Sequence, residues 1–406
     1  LRIIGGHDED VFSLKEGRRV KVYDFESQPS KIEERKGGNV RFTDVYNLNT
    51  YDYRKQIERS QGVVSAIGYN PDDGIKIGVK GIYTENGFKR NPFTARHTVT
   101  AGYYFGTNGL DLSYRGEFAS IINDFNLSVG AHYSSPKSVL NFFGFGNETP
   151  NFEDELSKDY NRTRISRIGV DAGFVKKSPF GSYFAYSGSF EGVRVEATEG
   201  RFITEEFEPA GSDFYNRKYF AGLEGTYRYE SYDYVLNPTR GMKFELVLGG
   251  KVNTKETDNN FGYFKPYLGF FNSLSRNRKL VLNSRVQAHL NIGDDYEFYQ
   301  AAFLGGNSGL RGYRQERFAG KSAFSTGGDL RYSFDQFKTN FLPFQIGIFA
   351  GYDVGRVWAE NDNSSMWHDS YGGGFWVNSA EALNATFNLF AGGEGLRFSF
   401  GLGFNF

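Results

Sequence analysis

The residues of this chain whose types and spacing point to a specific polar contact are one arginine and two aspartates. Arg311 lies in the stretch 303–320, FLGGNSGLRGYRQERFAG, within the longest interruption of a regular β pattern. Its neighbours are small, apolar or aromatic: Gly305, Gly306, Gly309, Leu310, Gly312 and Tyr313. The glycines make the backbone permissive, and the apolar neighbours favour a loop that folds back into a cavity.

An arginine in such a cavity requires an anion, because an unpaired charge in a protein interior is unfavourable. Asp329 and Asp353 are the candidates, since each lies on the side of its segment opposite the large apolar residues. A charge-assisted and bidentate pair would hold the loop in place. Two alternatives remain open: the loop is an ordinary solvated loop, or Asp329 pairs with Arg331 or Arg397.

Alternation of apolar and polar residues defines the elements that would position these side chains. The last segment shows it most clearly, with large apolar residues at every second position: Leu396, Phe398, Phe400, Leu402, Phe404 and Phe406. About sixteen segments of this kind, each roughly 9 to 13 residues long, suit tilted strands that cross a membrane. They begin near residues 62, 74, 96, 109, 124, 160, 181, 217, 241, 261, 279, 322, 343, 368, 382 and 395.

Composition agrees with this pattern. The chain of 406 residues contains 51 glycines, 41 phenylalanines and 27 tyrosines but only 10 prolines. This composition is expected of many strands with tight turns and aromatic girdles. A mean hydropathy of -0.51 argues against a helical membrane protein, whereas a barrel needs only one apolar face per strand. We therefore predict an all-β fold: a transmembrane antiparallel β-barrel of about 16 strands, with a long loop folded into the lumen.

The connections between segments have the asymmetry of an outer-membrane barrel. If the N-terminus is periplasmic, the three longest gaps, 136–158, 198–216 and 293–321, all fall on the extracellular side. The first segment, Gly62–Tyr69, alternates poorly and the last alternates strongly. Because barrel closure pairs these two, we expect a weak seam between them.

Four segments of the chain resemble the BamA–TamA–FhaC superfamily of outer-membrane barrels, which insert or translocate other proteins. They are GGNSGLRGY, FAGYDVGRVW (Phe349–Trp358), LNPTRG (Leu236–Gly241) and NFFGFGNET (Asn141–Thr149). The resemblance covers roughly residues 60 to 406. It implies that Arg311 engages Asp353 of an aromatic-x-Asp-x-Gly motif that ends at Gly355, with Asp329 as the other candidate.

The same resemblance implies the location, the partners and a mechanism. We expect the outer membrane of a Gram-negative bacterium or a related organelle, contact with its lipids, client outer-membrane or secreted proteins, and accessory lipoproteins. Phe400, Phe404 and Phe406 would form the C-terminal strand signal. A seam that opens between the first and last strands would expose an unpaired edge to an incoming strand.

Other chemistry finds little support in the sequence. The formal net charge of -1 indicates no nucleic-acid partner, and the absence of cysteine excludes disulfides and cysteine-type zinc sites. We expect no catalytic residue, no metal and no cofactor, since hydrolase and phosphate-binding motifs are missing. Three of the five histidines, His97, His132 and His289, lie in strands, which leaves a barrel hydrolase as an alternative.

We expect three regions: residues 1–30 as the tail of an upstream β-rich domain, 31–61 as a periplasmic linker, and 62–406 as the barrel. Residues 1–30 resemble the stretch that joins a phosphoesterase-like domain to a barrel in some Bacteroidota fusion proteins. Two interpretations remain for Asp8 and Asp10 in this stretch: they bind calcium, or they form a solvated acidic turn. The alternative function is therefore a membrane anchor or exporter for a fused enzyme domain, and a diffusion pore is a third.

Overall fold

The computed structural model describes most of the chain between Arg2 and Phe404. The described residues are 2–15, 20–44, 49–50, 59–86, 93–207, 213–235, 237–340, 343–360, 362–379 and 383–404.

Sixteen antiparallel strands close into a barrel. The first eight are β1 (Arg59–Asn70), β2 (Gly74–Glu85), β3 (Ala95–Tyr104), β4 (Gly109–Ile122), β5 (Phe125–Ser134), β6 (Arg162–Lys177), β7 (Ser182–Val195) and β8 (Lys218–Tyr232). The second eight are β9 (Gly241–Asn253), β10 (Asn260–Ser273), β11 (Leu280–Ile292), β12 (Ser322–Ser333), β13 (Pro343–Trp358), β14 (His368–Ser379), β15 (Leu383–Gly392) and β16 (Gly395–Phe404). Each predicted segment start lies within three residues of a strand start, so the predicted fold class and strand number are confirmed.

The alternation along each strand separates two surfaces of the barrel. On β12, Leu330 and Tyr332 are 45% and 39% exposed on the outer surface, whereas Asp329, directly before Leu330, is 8% exposed. Successive side chains of a strand point to opposite faces, so polar groups of β12 face inward. The same phase on β13 leaves Tyr352 exposed and Asp353 buried.

The long connections meet at one end of the barrel, which we call the loop end; the other is the turn end. Connections 135–161, 196–217 and 293–321 lie at the loop end. An aromatic cluster covers it, with Phe142 at 4.7 Å from Phe207 and 4.8 Å from Phe298 between ring centroids. The helix α1 (Phe202–Glu205) packs into this cluster.

Smaller elements lie within the connections. Besides α1, the loop end contains the strands Val139–Asn141, Ala302–Leu304 and Phe318–Gly320 and the 3-10 turns Phe298–Gln300 and Gly306–Ser308. The strand Phe337–Lys338 lies between β12 and β13 and pairs with β13. None of the helices among the described residues combines the length and the apolar character needed to span a membrane.

Five short strands precede the barrel. They are Arg2–Ile4, Val11–Leu14, Lys21–Asp24, Lys31–Arg35 and Asn39–Phe42. They pair in parallel as one sheet of three strands and one of two. Phe12, Leu14 and Val22 form a small apolar cluster between them. Strands 31–35 and 39–42, in the stretch expected to be a linker, therefore pair with strands of residues 1–30, and the domain boundaries stay a prediction.

The barrel closes between β16 and β1 through a short ladder, which we call the seam. Only four pairs join the two strands within the described residues, from Phe400 opposite Tyr69 to Gly403 opposite Ala66. The other neighbouring barrel strands pair at nine to thirteen positions. The seam is therefore the shortest junction in the described part of the barrel.

Candidate functional site

The stretch that carries Arg311 is the tip of the connection between β11 and β12. Strands Ala302–Leu304 and Phe318–Gly320 pair with each other and frame residues 305–317, which we call the arginine loop. Gly305, Gly306 and Gly309 have φ of 126°, 56° and 131°. Glycine adopts such positive φ values without steric strain, so the glycine turn before Arg311 has a local reason.

Arg311 binds two carboxylates on the inner face of the barrel. Its Nε and Nη2 donate to Asp353 Oδ2 and Oδ1 at 2.8 Å and 2.9 Å, which is a bidentate pair. Nη2 also lies 2.7 Å from Asp329 Oδ1, and the backbone N–H of Arg311 donates to Asp353 Oδ2 at 3.3 Å. The arginine loop is thereby attached to β12 and β13, because these strands carry the two aspartates.

The polar network extends beyond this pair. Arg285 of β11 contacts Asp353 Oδ1 and lies 3.5 Å from Asp329 Oδ2. Ser370 Oγ of β14 donates to Asp353 Oδ2 at 3.2 Å. Asp353 has no exposed surface, and two arginines and two aspartates balance their charges in the network. Such compensation is what a buried charged cluster requires.

Close packing against β15 fixes the orientation of the Arg311 guanidinium. Its central carbon lies 3.9 Å above the ring centroid of Phe390, within the range of a cation–π contact. A Cβ atom at Gly312 would collide with the backbone of Ala391 and lie 2.7 Å from Gly392 N. Gly312 therefore permits the close approach of the loop to β15.

Apolar residues seal the loop on the side of its framing strands. Leu310, Tyr313 and Phe318 form a buried cluster with Leu304 and Val357. Tyr313 also accepts a hydrogen bond at 3.0 Å through its hydroxyl from the N–H of Gly393, in the turn between β15 and β16.

The segment NFFGFGNET packs against the arginine loop and its neighbouring strand. Asn141 Nδ2 donates to the Gln315 carbonyl at 3.0 Å. Asn147 and Val357 exchange two hydrogen bonds, Asn147 Nδ2 to the carbonyl at 2.8 Å and Val357 N–H to Oδ1 at 3.0 Å. Two of the segments with family resemblance are thus adjacent in space.

Gly355, the last residue of the aromatic-x-Asp-x-Gly pattern, lies beneath the frame of the arginine loop. A Cβ atom there would be 2.6 Å from the Phe324 carbonyl oxygen and 3.1 Å from Leu304 Cδ2. Phe400 lies away from the loop, at the seam, where its ring stacks on Phe387 at 4.9 Å. Phe404 ends β16, its side chain is outside the described part, and Phe406 lies outside the described residues.

Other expected partners of Asp329 are engaged elsewhere. Arg331 Nη2 donates to Asn237 Oδ1 at 2.8 Å, beside the predicted Asn-Pro turn. Arg397 Nη2 lies 3.1 Å from Glu153 Oε2. Within the described contacts Asp329 instead faces Arg311 and Arg285.

Sequence reasoning missed several further charged groups of this region. Arg285 was not identified, and neither were Arg314, Arg317 and their carboxylate partners. A signal was present, because Arg311, Arg314 and Arg317 recur at intervals of three residues in RGYRQER. The spacing does not by itself identify the acceptor of each guanidinium.

Beside the arginine loop the barrel encloses a polar cavity of about 860 Å³. Charged side chains of both signs line it: Arg115, Glu117, Glu191, Lys251, Lys265 and Glu316. Burial raises the pKa of Glu316 in the loop to about 7, against the opposing hydrogen bond from Asn141 N–H. Among the residues that the structure describes, no group of His, Cys, Asp and Glu could hold a metal ion.

Residues 104–406 match the Omp85 superfamily domain. The chain belongs to the Omp85 superfamily. The predicted BamA–TamA–FhaC type of outer-membrane barrel is thereby confirmed. No curated protein matches this Omp85 chain by sequence.

Solved structures share the fold of this Omp85 barrel. The crystal structure of BamA from Haemophilus ducreyi lacking POTRA domains 1-3 is similar with a TM-score of 0.63 at 12% identity, over 85% of this chain and 70% of that chain. CdiB from Escherichia coli is similar with a TM-score of 0.56 at 10% identity, over 85% of this chain and 63% of that chain. CdiB from Acinetobacter baumannii is similar with a TM-score of 0.51 at 9% identity, over 86% of this chain and 60% of that chain. The chain thus spans less than two thirds of either CdiB, and at these identities the similarity concerns the fold.

Proposed function

We propose that this Omp85 barrel inserts or translocates client proteins in the outer membrane of a Gram-negative bacterium. The observation that carries the proposal is the short seam, with four pairs where neighbouring junctions have nine or more. The loop end faces the cell exterior and the turn end faces the periplasm, as long loops and short turns do in such barrels. We propose no enzymatic activity for this chain.

The seam leaves strand edges available for pairing. Arg59–Ser65 of β1 have no partner on β16 within the described residues, and Gly395–Ser399 of β16 have none on β1. An unpaired edge offers backbone donors and acceptors to another strand. We infer that a client strand pairs first with the free part of β1, at the turn end.

The arginine loop supplies the second part of the proposal. Its pair with Asp353 and Asp329 ties it to β12 and β13, which lie four and three strands before β16 in the order of strands. A loop fixed there narrows the lumen, so its release would widen the passage. We propose that Arg311 and Asp353 set the balance between the attached and released loop, a structural and regulatory role.

A second function has its own supporting observation. Residues 2–42 form parallel strands with a separate apolar cluster, unlike the antiparallel barrel that follows. A barrel joined to a distinct β unit suits an anchor or exporter for a fused domain, such as a phosphoesterase-like one. Under this alternative the barrel would not accelerate the assembly of separate client proteins.

The test uses the purified protein in liposomes, with a urea-unfolded eight-stranded outer-membrane barrel as the probe client. Arg311→Ala and Asp353→Ala are compared with the parent and with Lys218→Gln, which removes a loop-end pair with Glu297 that does not involve Arg311, Asp329 or Asp353. We expect both site variants, but not Lys218→Gln, to change ion conductance and the rate of probe folding. Unchanged conductance and folding in both site variants would refute the role of the loop.

Failure of the parent protein to accelerate folding of the probe would instead favour the anchor function. In that case, intact mass and N-terminal sequencing of the protein from native membranes would identify any domain attached before residue 1. A product with periplasmic repeats would support an assembly machine, and one with a hydrolase domain would support the anchor.

A further inference from the structure

Two more arginines follow Arg311 in the arginine loop, and both are buried. Arg314 has no exposed surface and Arg317 is 4% exposed. Neither contacts Asp329 or Asp353 in the described contacts. Guanidinium groups this enclosed require partners of their own, and these partners lie on the two sides of the seam.

Arg314 binds the turn that joins β1 to β2. Its Nε donates to Asp72 Oδ1 at 2.8 Å, and the N–H of the next residue, Gln315, donates to Asp72 Oδ2 at 3.0 Å. Arg314 Nη2 reaches Asn141 Oδ1 at 3.1 Å. Asp72 is only 3% exposed, so the first hairpin of the barrel ends under the arginine loop.

Arg317 and Tyr313 bind the turn that joins β15 to β16. Arg317 Nε donates to Glu394 Oε1 at 2.5 Å, and the Tyr313 hydroxyl accepts the Gly393 N–H at 3.0 Å. Arg317 Nη1 also donates to Thr149 Oγ1 at 2.8 Å. Residues 313–317 of the arginine loop thus also hold the hairpin that contains the last strand.

A third arginine lies across the seam itself. Arg397 of β16 has Nη1 at 3.9 Å from Asp72 Oδ2 and Nη2 at 3.1 Å from Glu153 Oε2. Asp72 belongs to the first hairpin and Arg397 to the last strand. Charge contacts therefore join the two sides at the loop end, where β16 residues 395–399 lack backbone partners on β1.

We propose that residues 313–317 form a clasp that holds the two sides of the seam together at the loop end, with Asp72 and Glu394 as its positioning residues. The clasp replaces the backbone pairs that the seam lacks there. β1 cannot leave β16 at the loop end without separating Asp72 from Arg314 or moving the arginine loop. The seam therefore opens first at the turn end.

This inference rests on the proposed use of the seam, but it can be measured without a client. Hydrogen–deuterium exchange of the purified protein in lipid nanodiscs reports the opening of backbone hydrogen bonds. Arg314→Gln combined with Asp72→Asn removes both charges together, which avoids leaving one buried charge unpaired. Lys251→Gln with Glu191→Gln is the matched control, a neutralised interior pair between β9 and β7.

We expect residues 66–69 of β1 to exchange roughly tenfold faster in the Asp72 and Arg314 double variant, because local opening becomes easier. The control should leave this exchange unchanged, and β6 to β8 should keep their protection in the double variant. Equal exchange of residues 66–69 in the parent and the double variant would overturn the clasp.

A second variant tests the other side of the seam and guards against a failure of the first to fold. Arg317→Gln with Glu394→Gln should speed the exchange of residues 400–403 of β16, which pair with β1, relative to the control. Unchanged exchange would again overturn the clasp. The folding of the probe client is measured on the same proteins. Faster seam exchange with unaltered probe folding would support the clasp while contradicting the use of the seam in client assembly.

Discussion

Arg311 and Asp353 meet through two parallel hydrogen bonds of 2.8 Å and 2.9 Å, although 42 positions separate them in the sequence. The aspartate has no exposed surface and also contacts Arg285. This arrangement makes the two carboxylates of the network unequal, because Asp353 accepts from Arg311, Arg285 and Ser370, while Asp329 is 8% exposed.

Replacing Asp353 by asparagine should destabilise the barrel more than replacing Asp329. Either change leaves two arginines with one carboxylate, but Asp353 is fully buried and accepts the bidentate pair from Arg311. Breaking a buried ion pair typically costs about 3–5 kcal/mol. The midpoint temperature at which the folded band disappears in heat-dependent gel electrophoresis measures the difference. Asp171→Asn, which breaks a half-exposed pair with Arg115, should shift the midpoint little. Equal midpoint temperatures for the Asp353 and Asp329 variants would contradict the larger contribution of Asp353 to stability.

Gly312→Ala should displace the arginine loop. The new Cβ atom would collide with the backbone of Ala391, and inserting atoms into a packed site costs about 1–3 kcal/mol. Faster exchange of residues 305–317 is the expected result. Gly81→Ala is the control, since a Cβ atom at that position meets nothing within 4 Å. Similar exchange of the loop in both variants would show that the close contact with β15 is unimportant.

How much of this site follows from sequence depends on the range of the interactions. The sixteen strands follow from alternation, a local pattern, and the same phase places Asp329 and Asp353 on the inner face. Glycines before Arg311 indicate a tight turn. The distribution of partners among the three arginines does not follow, because it depends on how loops distant in sequence pack together.

Asp72 illustrates the limit. It lies in NPDDG, which has the composition of an ordinary solvated turn, yet it is 3% exposed beneath Arg314. A separation of 242 positions joins the two residues, and no local pattern reports such a contact. The short ladder between β16 and β1 likewise depends on the register of closure, whereas only the poor alternation of β1 was visible in the sequence.

The attachment of the arginine loop should weaken as pH rises from about 5 to about 8. Burial raises the pKa of Glu316 from its ordinary value of 4.5 to about 7, so the folded loop binds a proton more tightly than the unfolded loop. The stabilisation from Glu316 is fully present below its ordinary pKa of 4.5 and is lost as the pH rises through about 7. The midpoint of heat-dependent gel mobility, taken at pH 5 and pH 8, measures the effect.

Glu316→Gln should remove this part of the pH dependence, because glutamine does not titrate. The variant should resemble the parent at pH 5, where the Glu316 carboxyl is protonated, and exceed it in stability at pH 8. A parent and variant with the same dependence on pH would assign the effect to other groups.

A disulfide across the seam tests the central claim, that client assembly requires β1 and β16 to separate. Gly68 and Gly401 are register partners at the seam. Because the chain contains no cysteine, the double variant Gly68→Cys with Gly401→Cys has no competing thiol. Gly78→Cys with Gly102→Cys, register partners on β2 and β3, is the control. We predict that oxidation of the seam pair stops folding of the probe client, that reduction restores it, and that the control pair stays active in both states. Undiminished folding of the probe client with an oxidised seam would show that client assembly does not require β1 and β16 to separate.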